Sequence, residues 1–251
     1  MTSGRASDRG PSEPVDAASR SVSIDLHVHS EGSYDCRTRI VDVLERAAEI
    51  GLDGVCITDH DAIEQSLAAA EIAPEYGLVG IPGAEVSSRD GHVLAIGVDR
   101  CPEPGRPFDR TVVEIRNRGG IAVVPHPFQR SRHGVARSVI DDCDGIEVHN
   151  AMGLTGIRNR QAFRFAADRG VPTIAGSDAH APCVLGRAYT NVFLESDEAD
   201  PVEQDALLAA IAAGRTAPIG SLAPTTRWAR KYATNVGFKL RSGLGRLRHF
   251  G

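Results

Sequence analysis

Two histidines stand two residues apart near the start of the sequence. His27 and His29 lie in a segment of alternating apolar residues, so the segment is predicted to be a β-strand on which both side chains point the same way. A single histidine among apolar residues is most often a hydrogen-bonded structural residue. A pair at this spacing, followed by further His, Asp and Glu residues, is more typical of ligands to a metal ion.

Residues of the same chemical types stand at the ends of later apolar segments. At least five such segments end in a residue suited to metal binding or acid–base chemistry: His27 and His29, His60, His126, His149, and Asp178 with His180. Each residue alone can have an ordinary structural role, because Asp59 can cap a helix and Glu85 can be a solvated turn residue. Glu147 and His149 are expected to face the same way and can both simply line the barrel. The joint position of so many such residues at strand ends is harder to attribute to chance.

The apolar spacing predicts strands that alternate with helices, which indicates a mainly parallel sheet. Strands are predicted near 22–28, 54–58, 78–81, 92–98, 121–124, 145–150, 171–176 and 189–194. Helices are predicted near 39–50, 62–73, 108–117, 135–141, 155–168 and 201–213. In a closed barrel the strand ends would converge on one mouth, whereas in an open sheet they would line a crevice.

The length of the chain suits one large α/β domain or two small ones. The chain has 251 residues, 41% of them hydrophobic, and a net charge of -5, which predicts no general affinity for nucleic acid. The five cysteines include no Cys-x-x-Cys pair, which argues against a disulfide framework and favours a reducing cytoplasm. No segment is long and apolar enough to predict a membrane span. We predict a disordered leader over 1–21, a catalytic domain over 22–220 and a basic tail over 221–251.

The predicted tail differs from the rest of the chain in charge. It contains seven Lys and Arg residues, no acidic residue and four aromatic residues. Cations interleaved with aromatic rings are suited to bind nucleic acid or an anionic membrane surface. We favour the ordinary alternative, a C-terminal helix whose charges are solvated.

Five motifs in a fixed order carry a family resemblance. They are His27-Val28-His29-Ser30, Thr58-Asp59-His60, Pro82-Gly83-Ala84-Glu85, Pro125-His126-Pro127 and Ser177-Asp178-Ala179-His180. The order and content resemble the PHP (polymerase and histidinol phosphatase) superfamily, and the resemblance covers roughly residues 22–220. The short chain resembles the stand-alone metal-dependent phosphoesterases more than the modules inside DNA polymerases. The resemblance implies a distorted (β/α)7 barrel, a TIM-like α/β fold, with two or three divalent ions, Mn, Zn or Fe, at its mouth.

The same resemblance implies nine metal ligands. They are His27, His29, Asp35, His60, Glu85, His92, His126, Asp178 and His180. The first ion would be held by His27, His29, Glu85 and Asp178. Glu85 would bridge to a second ion, held also by His126 and His92. The third ion would be held by Asp35, His60 and His180.

The resemblance also implies phosphoester hydrolysis by a metal-bound hydroxide. Physical chemistry supports this independently, because two ions ~3.5–4 Å apart can clamp the attacking and leaving oxygens of a phosphoryl group. His149 and His133 are candidates for protonating the leaving group. The candidates for binding the substrate phosphate are Arg130, Arg132 and Arg187, since guanidinium groups match phosphate oxygens. At least one of Arg130 and Arg132 is expected to be an ordinary surface residue.

The predicted substrate is a small phosphorylated metabolite or nucleotide, and three alternatives stay open. One is an exonuclease-like phosphodiesterase that acts on short oligonucleotides. Another is a hydrolase of the amidohydrolase type, which also opens with His-x-His but usually needs a bridging lysine, and here no lysine precedes Lys231. The third is a non-catalytic binding module stabilised by metals. Sequence motifs of serine hydrolases, P-loop enzymes and zinc proteases are absent.

Overall fold

A computed structural model of the chain describes residues 20–195, 202–224 and 226. Most of the predicted leader and most of the predicted basic tail therefore lie outside the described residues. Arg20 and Ser21, which the sequence assigned to the leader, already belong to the first strand. Within the described part of the chain, no helix combines the length and the hydropathy that crossing a bilayer requires.

The described residues form nine strands and five α-helices. The strands are β1 (Arg20–Val28), β2 (Gly54–Ile57), β3 (Val79–Ser88), β4 (Gly91–Ile96), β5 (Ile121–Val124), β6 (Gly145–Asn150), β7 (Thr173–Gly176), β8 (Ala188–Leu194) and β9 (Thr216–Gly220). The helices are α1 (Ile40–Glu49), α2 (Glu64–Ile72), α3 (Phe108–Asn117), α4 (Ile157–Arg169) and α5 (Gln204–Ala212). Short 3-10 helices span Ala73–Tyr76 and Arg130–Arg132.

The nine strands form one sheet in the order β7-β6-β5-β4-β3-β2-β1-β8-β9. The strands β1, β2 and β3 pair in parallel, and so do β5, β6 and β7. The strand β4 runs antiparallel to both of its neighbours, β8 runs antiparallel to β1, and β9 runs antiparallel to β8. The sheet is therefore mixed, and the expectation of a mainly parallel sheet is wrong in this respect.

The sheet curls until β7 approaches β1. The main-chain N–H of Asp178, just beyond β7, donates to the carbonyl oxygen of His27 over 2.7 Å, and the N–H of His29 donates to the carbonyl oxygen of Ala179 over 2.9 Å. Thr190 connects β8 to β7. Its hydroxyl accepts a hydrogen bond from the main-chain N–H of Ala175 and donates to the carbonyl oxygen of Ala175, each over 2.9 Å. The predicted distorted α/β barrel is confirmed, in a nearly closed form.

Apolar side chains fill the barrel and cover its outside. One buried cluster joins Leu26, Cys56, Ile81, Leu94 and Ile174 with other inward-facing strand residues and with the apolar face of α5. Two more clusters pack α1 and α2, and α3 and α4, against the outer face of the sheet. Burial of each large side chain contributes roughly 1.5–3 kcal/mol to the free energy of folding. These packed layers therefore hold the strand ends in fixed positions.

Two elements differ from the sequence-based expectation. Residues 135–141 form no helix. Val135 and Ile140 are both buried although they stand five residues apart, a spacing that a helix does not place on one face. The strand β9 was not predicted, and Pro218 lies within it. This strand is the last in the sheet, where a residue without an N–H is tolerated.

Candidate metal centre

Glu85 of β3 lies at the centre of a buried cluster at one mouth of the barrel. Its Oε1 lies 2.9 Å from both His92 Nδ1 and His126 Nε2. Its Oε2 lies 3.2 Å from His60 Nδ1 and 3.3 Å from His29 Nε2. His27 Nε2 lies 3.5 Å from the same Oε2, and the carboxylate is 1% exposed, so one buried anion contacts five imidazole rings.

The topology explains why these side chains meet. His29 and His60 follow the carboxyl ends of β1 and β2, and His126 follows the carboxyl end of β5. His92 stands near the start of β4 instead. Because β4 runs antiparallel to β3 and β5, its amino end faces the same mouth as their carboxyl ends. A histidine at a strand start therefore joins histidines at strand ends.

A second set of contacts extends the cluster away from Glu85. His180 Nε2 lies 3.1 Å from Asp35 Oδ2, and His180 Nδ1 lies 3.3 Å from Asp178 Oδ1. His60 Nε2 lies 3.8 Å from the same oxygen of Asp35. His29 joins the two sets, because its Nε2 also lies 3.5 Å from Asp178 Oδ1. All these side chains are part of one continuous network.

The structure brings all nine sequence-predicted ligands into groups whose ligand atoms lie within 4.8 Å of one another. The groups are His29, Asp35, His60 and His180; His27, His29 and Glu85; His27, His126 and Asp178; and His60, Glu85 and His92. Glu85 belongs to two groups, as expected for a carboxylate between two ions. The grouping of Asp178 with His27 and His126 differs from the predicted division of the ligands among the ions.

Two members of the cluster have unusual backbone conformations. His126 has a φ of 30° and Asp178 a φ of 52°, in the left-handed region that residues other than glycine rarely adopt. Each stands at the point where a strand ends and its loop begins. Such conformations cost about 1–3 kcal/mol each and concentrate at functional sites, so the strain at these two residues agrees with a functional role for the mouth.

The protonation states suit metal binding. Burial lowers the pKa of His29 to about 4 and those of His60 and His126 to about 3, so these rings are neutral near pH 7 and have a lone pair to offer. Burial alone would raise the pKa of Glu85, but His92, His60 and His27 outweigh it and hold that pKa well below its ordinary value. Neutral imidazoles beside an ionised carboxylate are the donor set that divalent transition ions prefer.

His27 differs from the other rings. Burial would lower its pKa, but the carboxylates of Glu147 and Glu85 outweigh burial and raise the pKa to about 9. Its Nδ1 lies 2.9 Å from Glu147 Oε1. Because an ionised carboxylate only accepts hydrogen bonds, Nδ1 carries a proton and Nε2 is the atom that faces the cluster. A carboxylate behind a ligating histidine is a common device for orienting the ring and increasing its basicity.

Glu147 and Asn150 are residues of the site that the sequence analysis missed. Glu147 was expected only to line the barrel. Its Oε2 accepts hydrogen bonds from the main-chain N–H of His126 over 2.7 Å and from Asn150 Nδ2 over 2.9 Å. Asn150 Nδ2 also lies 3.2 Å from Asp178 Oδ2. The β6 residues thus support ligands on three other parts of the chain, including His27.

The three predicted phosphate-binding arginines lie in different settings. The Arg132 side chain is 8% exposed; it pairs with the carboxylate of Asp178 and donates from Nη1 to Asn150 Oδ1 over 2.8 Å. Arg130 is exposed and lines a neighbouring cavity. Arg187 Nε is buried without a hydrogen-bond partner among the described residues. Of the three, Arg132 is the one that contacts the cluster.

The two predicted proton donors also separate. The His133 ring stacks on the His92 ring, with centroids 5.2 Å apart, so it lies beside the cluster. His149 lines a different cavity, beside α4 and β9. The interpretation that it faces the same way as Glu147 is wrong, because the strand register shifts between these two residues. The shift turns Asn150 toward the cluster in place of His149.

Two family models match the chain. The model described as the PHP domain matches residues 25–119, and the model described as PHP-associated matches residues 156–216. Together they cover more than half of the sequence. An uncharacterised protein of Methanocaldococcus jannaschii is 28% identical over 150 residues, which are 55% of this chain and 88% of that protein.

A relative with a named activity covers less of the chain. The phosphoribosyl 1,2-cyclic phosphate 1,2-diphosphodiesterase of Eggerthella lenta is 37% identical over 81 residues, 30% of this chain and 30% of that protein. This chain thus matches less than a third of the length of that enzyme.

A solved structure shares the fold. It is a two-domain protein of Bacteroides vulgatus described as containing a PHP-like metal-dependent phosphoesterase. It superposes with a TM-score of 0.68 at 20% identity, over 87% of this chain and 70% of that chain. The matched models, the order of the motifs and the shared barrel agree, and the chain belongs to the PHP family, the family of metal-dependent phosphoesterases that its motifs resemble.

Proposed function

We propose that this protein is an enzyme that hydrolyses a phosphoester of a small phosphorylated metabolite or nucleotide, with two or three divalent ions held by the nine clustered residues. The observation that carries the proposal is the convergence of six histidines and three carboxylates around Glu85 and Asp178 at one barrel mouth. The Eggerthella lenta relative, which is named a phosphodiesterase, supports phosphoester chemistry.

The residues of the chain have separable tasks in this proposal. Divalent ions, when bound, would activate a water molecule and offset charge on the phosphoryl oxygens. Each carboxylate oxygen of Glu85 contacts different histidines, so Glu85 would supply a ligand atom for ions held by either set. Glu147 keeps the proton on His27 Nδ1, which leaves Nε2 for an ion. His133 is the proposed donor of a proton to the leaving group, because its ring lies against His92 at the cluster edge.

A cavity beside the cluster supports a small anionic substrate. Its volume is about 290 Å³, and its lining includes Arg130, Arg132, Arg158, Phe128 and Leu154. Arg132 belongs both to this cavity and to the cluster, because it contacts Asp178. Guanidinium groups would bind the phosphate, and the apolar residues would contact the rest of the molecule. The volume lies near the lower end of the range for small-molecule sites, which favours a metabolite over a polymer.

The proposal places the protein in a reducing compartment. All five cysteines are free, and Cys36, Cys56 and Cys143 are buried. Burial raises the pKa of the Cys56 and Cys143 thiols, so both stay protonated near pH 7 and are poor nucleophiles. Free thiols of this kind fit the cytoplasm.

The test is a substrate screen of the purified full chain, metallated with manganese, iron and zinc in turn. The panel contains sugar phosphates, nucleoside monophosphates, cyclic phosphodiesters and short oligonucleotides. We expect turnover of at least one small ester. Turnover restricted to oligonucleotides would support the exonuclease-like alternative, and bound metal without turnover of any ester would support a non-catalytic module.

Two variants connect turnover to the cluster. His29→Ala and Asp178→Ala are each expected to abolish hydrolysis while the far-ultraviolet circular dichroism spectrum stays that of the folded protein. Arg110→Ala is the matched control, because Arg110 is an exposed residue of α3. Unchanged turnover in either cluster variant would refute the assignment.

A further inference from the structure

A second cavity lies on the other side of β6 from the metal centre. It has a volume of about 290 Å³ and is lined by His149 of β6, by Asn159, Arg160, Phe163 and Arg164 of α4, and by Pro218 of β9. We call it the α4 cavity. None of the nine clustered residues lines it, and it is separate from the arginine-lined cavity beside them.

The α4 cavity carries two cations that the described part of the protein does not neutralise. Arg160 and Arg164 form no ion pair with any carboxylate of the described residues. They stand four residues apart on the same helix, where like charges repel. The first turn of α4 contains no acidic residue, although acidic residues are favoured there. Two adjacent exposed guanidinium groups are able to bind an anion such as a phosphate.

Another wall of the cavity suits a planar ring. Phe163 is 55% exposed, so its ring offers an apolar face to a ligand. His149 Nε2 is buried and has no hydrogen-bond partner in the part of the chain that the structure describes. A Cβ atom on Gly220 would lie 2.6 Å from His149 Cδ2, so the glycine leaves the room that the imidazole needs. The imidazole of His149 therefore packs against Gly220 at one edge of the cavity.

We infer that the α4 cavity is a second binding site, for a small phosphorylated molecule that carries a planar ring, such as a nucleoside monophosphate. The phosphate would contact Arg160 and Arg164, and the planar ring would stack on Phe163. Stacking of a base on an aromatic side chain and bidentate contacts from arginine are general modes of nucleotide binding. The inference stands independently of the reaction proposed for the metal centre.

A chain of hydrogen bonds connects the α4 cavity to the metal centre. Asn159 Nδ2 donates to the carbonyl oxygen of Asn150 over 3.1 Å, and Asn159 Oδ1 accepts from the N–H of Asn150 over 3.4 Å. Asn150 in turn contacts Asp178 at the metal centre. A ligand of the α4 cavity would therefore lie against a segment that supports the metal ligands.

The experiment uses the methylenephosphonate analogue of AMP, in which a CH2 group replaces the ester oxygen and prevents hydrolysis. Binding to the full-length protein is measured by isothermal titration calorimetry in the His29→Ala variant, so that the metal centre contributes little. We expect binding to persist there and to weaken at least ~10-fold when Arg160→Ala and Arg164→Ala are added, as the loss of charge-assisted contacts predicts. Adding Arg110→Ala instead is the control and should change nothing.

A second measurement tests the ring contact. Phe163→Ala in the same background is expected to weaken binding of the analogue about tenfold. It should leave the weaker binding of inorganic phosphate unchanged. The inference is overturned if the arginine substitutions leave the affinity for the analogue unchanged. It is overturned equally if the analogue binds the wild-type protein but not His29→Ala, since all binding would then belong to the metal centre. Equal affinity for inorganic phosphate and the analogue would eliminate the planar-ring ligand.

Discussion

The strands β1 and β6 carry the same kind of irregularity with opposite consequences for the site. In β1 the register shifts between Asp25 and Val28, and in β6 it shifts between Glu147 and His149. The β1 irregularity lies in an interval that contains His27, yet His27 and His29 both contact Glu85 at the metal centre. The β6 irregularity lies between Glu147 and His149, so these two residues do not face the same side of the sheet as regular alternation would predict.

The burial of the neighbouring apolar residues shows the same difference. Leu26 packs inside the barrel, whereas Val28 packs with α1 on the outside, although strict alternation would place both on one face. Without the shift, His27 and His29 would face away from the side that Leu26 occupies. A strand bulge thus changes which set of residues faces the interior. Alternation in the sequence predicts correctly whether two residues share a face only when both lie on the same side of the bulge.

The largest expected effect concerns His27 of β1. His27→Gln keeps a polar side chain but removes the imidazole that contacts Glu85, Glu147 and His29. We expect hydrolysis to fall at least ~10³-fold, which corresponds to several kcal/mol of transition-state stabilisation. Metal content by elemental analysis should fall with it, whereas Arg46→Gln, which alters only a half-buried side chain of α1 paired with Glu49, should change neither. Full metal occupancy and activity in His27→Gln would show that His27 does not bind metal.

Glu147 of β6 should show an intermediate effect. Glu147→Gln retains the size of the side chain but removes its negative charge. In the wild-type protein that carboxylate contacts His27 Nδ1 and accepts a hydrogen bond from the main-chain N–H of His126. Metal affinity is expected to fall ~10–100-fold, as for other partners of ligating histidines. Competition with a chromogenic chelator measures it. An unchanged affinity would mean that β6 contributes no support to the ligand on β1.

Much of this arrangement could be predicted from sequence. The spacing in β1, the residues that end β2, β5 and β7, and the order of the motifs indicated a barrel with polar residues at one mouth. The supporting residues could not be found this way. Glu147 and Asn150 are three apart, an odd spacing that places residues on opposite faces of a regular strand. Only the shift in register brings both to the metal centre.

Close approaches between strands were also beyond the sequence. A Cβ atom on Gly176 of β7 would collide with His27 Cβ and lie 2.8 Å from Glu147 Oε1. This glycine therefore makes room for the contact between β1 and β6. Glycines at the ends of apolar segments more often serve a turn or a bulge, and nothing local to Gly176 shows which side chains it faces.

The pH dependence of metal binding tests whether β1 and β6 act together. With a pKa of about 9, His27 is protonated at pH 7 and must release that proton from Nε2 to bind an ion. Metal affinity should therefore rise ~10-fold per pH unit from about pH 6 to pH 8, with about one proton released per ion bound at His27. Calorimetry in two buffers of different ionisation enthalpy gives the proton count.

The same titration in Glu147→Gln sharpens the comparison. Removing this carboxylate lowers the pKa of His27, because Glu147 is among the groups that raise it. Fewer protons should be released at pH 7, and the dependence on pH should move to lower pH. Metal affinity that is independent of pH in the wild-type protein would contradict the proton assigned to His27.

The smallest expected effect concerns His149. Because the shift in β6 turns its ring toward the α4 cavity, His149→Ala should change metal affinity and the kcat of phosphoester hydrolysis by no more than about twofold, as for a residue outside the reacting centre. The matched variant is His133→Ala, whose ring stacks on His92 and whose loss should lower kcat by ~10²-fold if it protonates the leaving group. A tenfold or greater loss of kcat or metal affinity in His149→Ala would mean that side chains alternate regularly through β6 after all. The bulge would then not separate the two faces of this strand, and its difference from β1 would disappear.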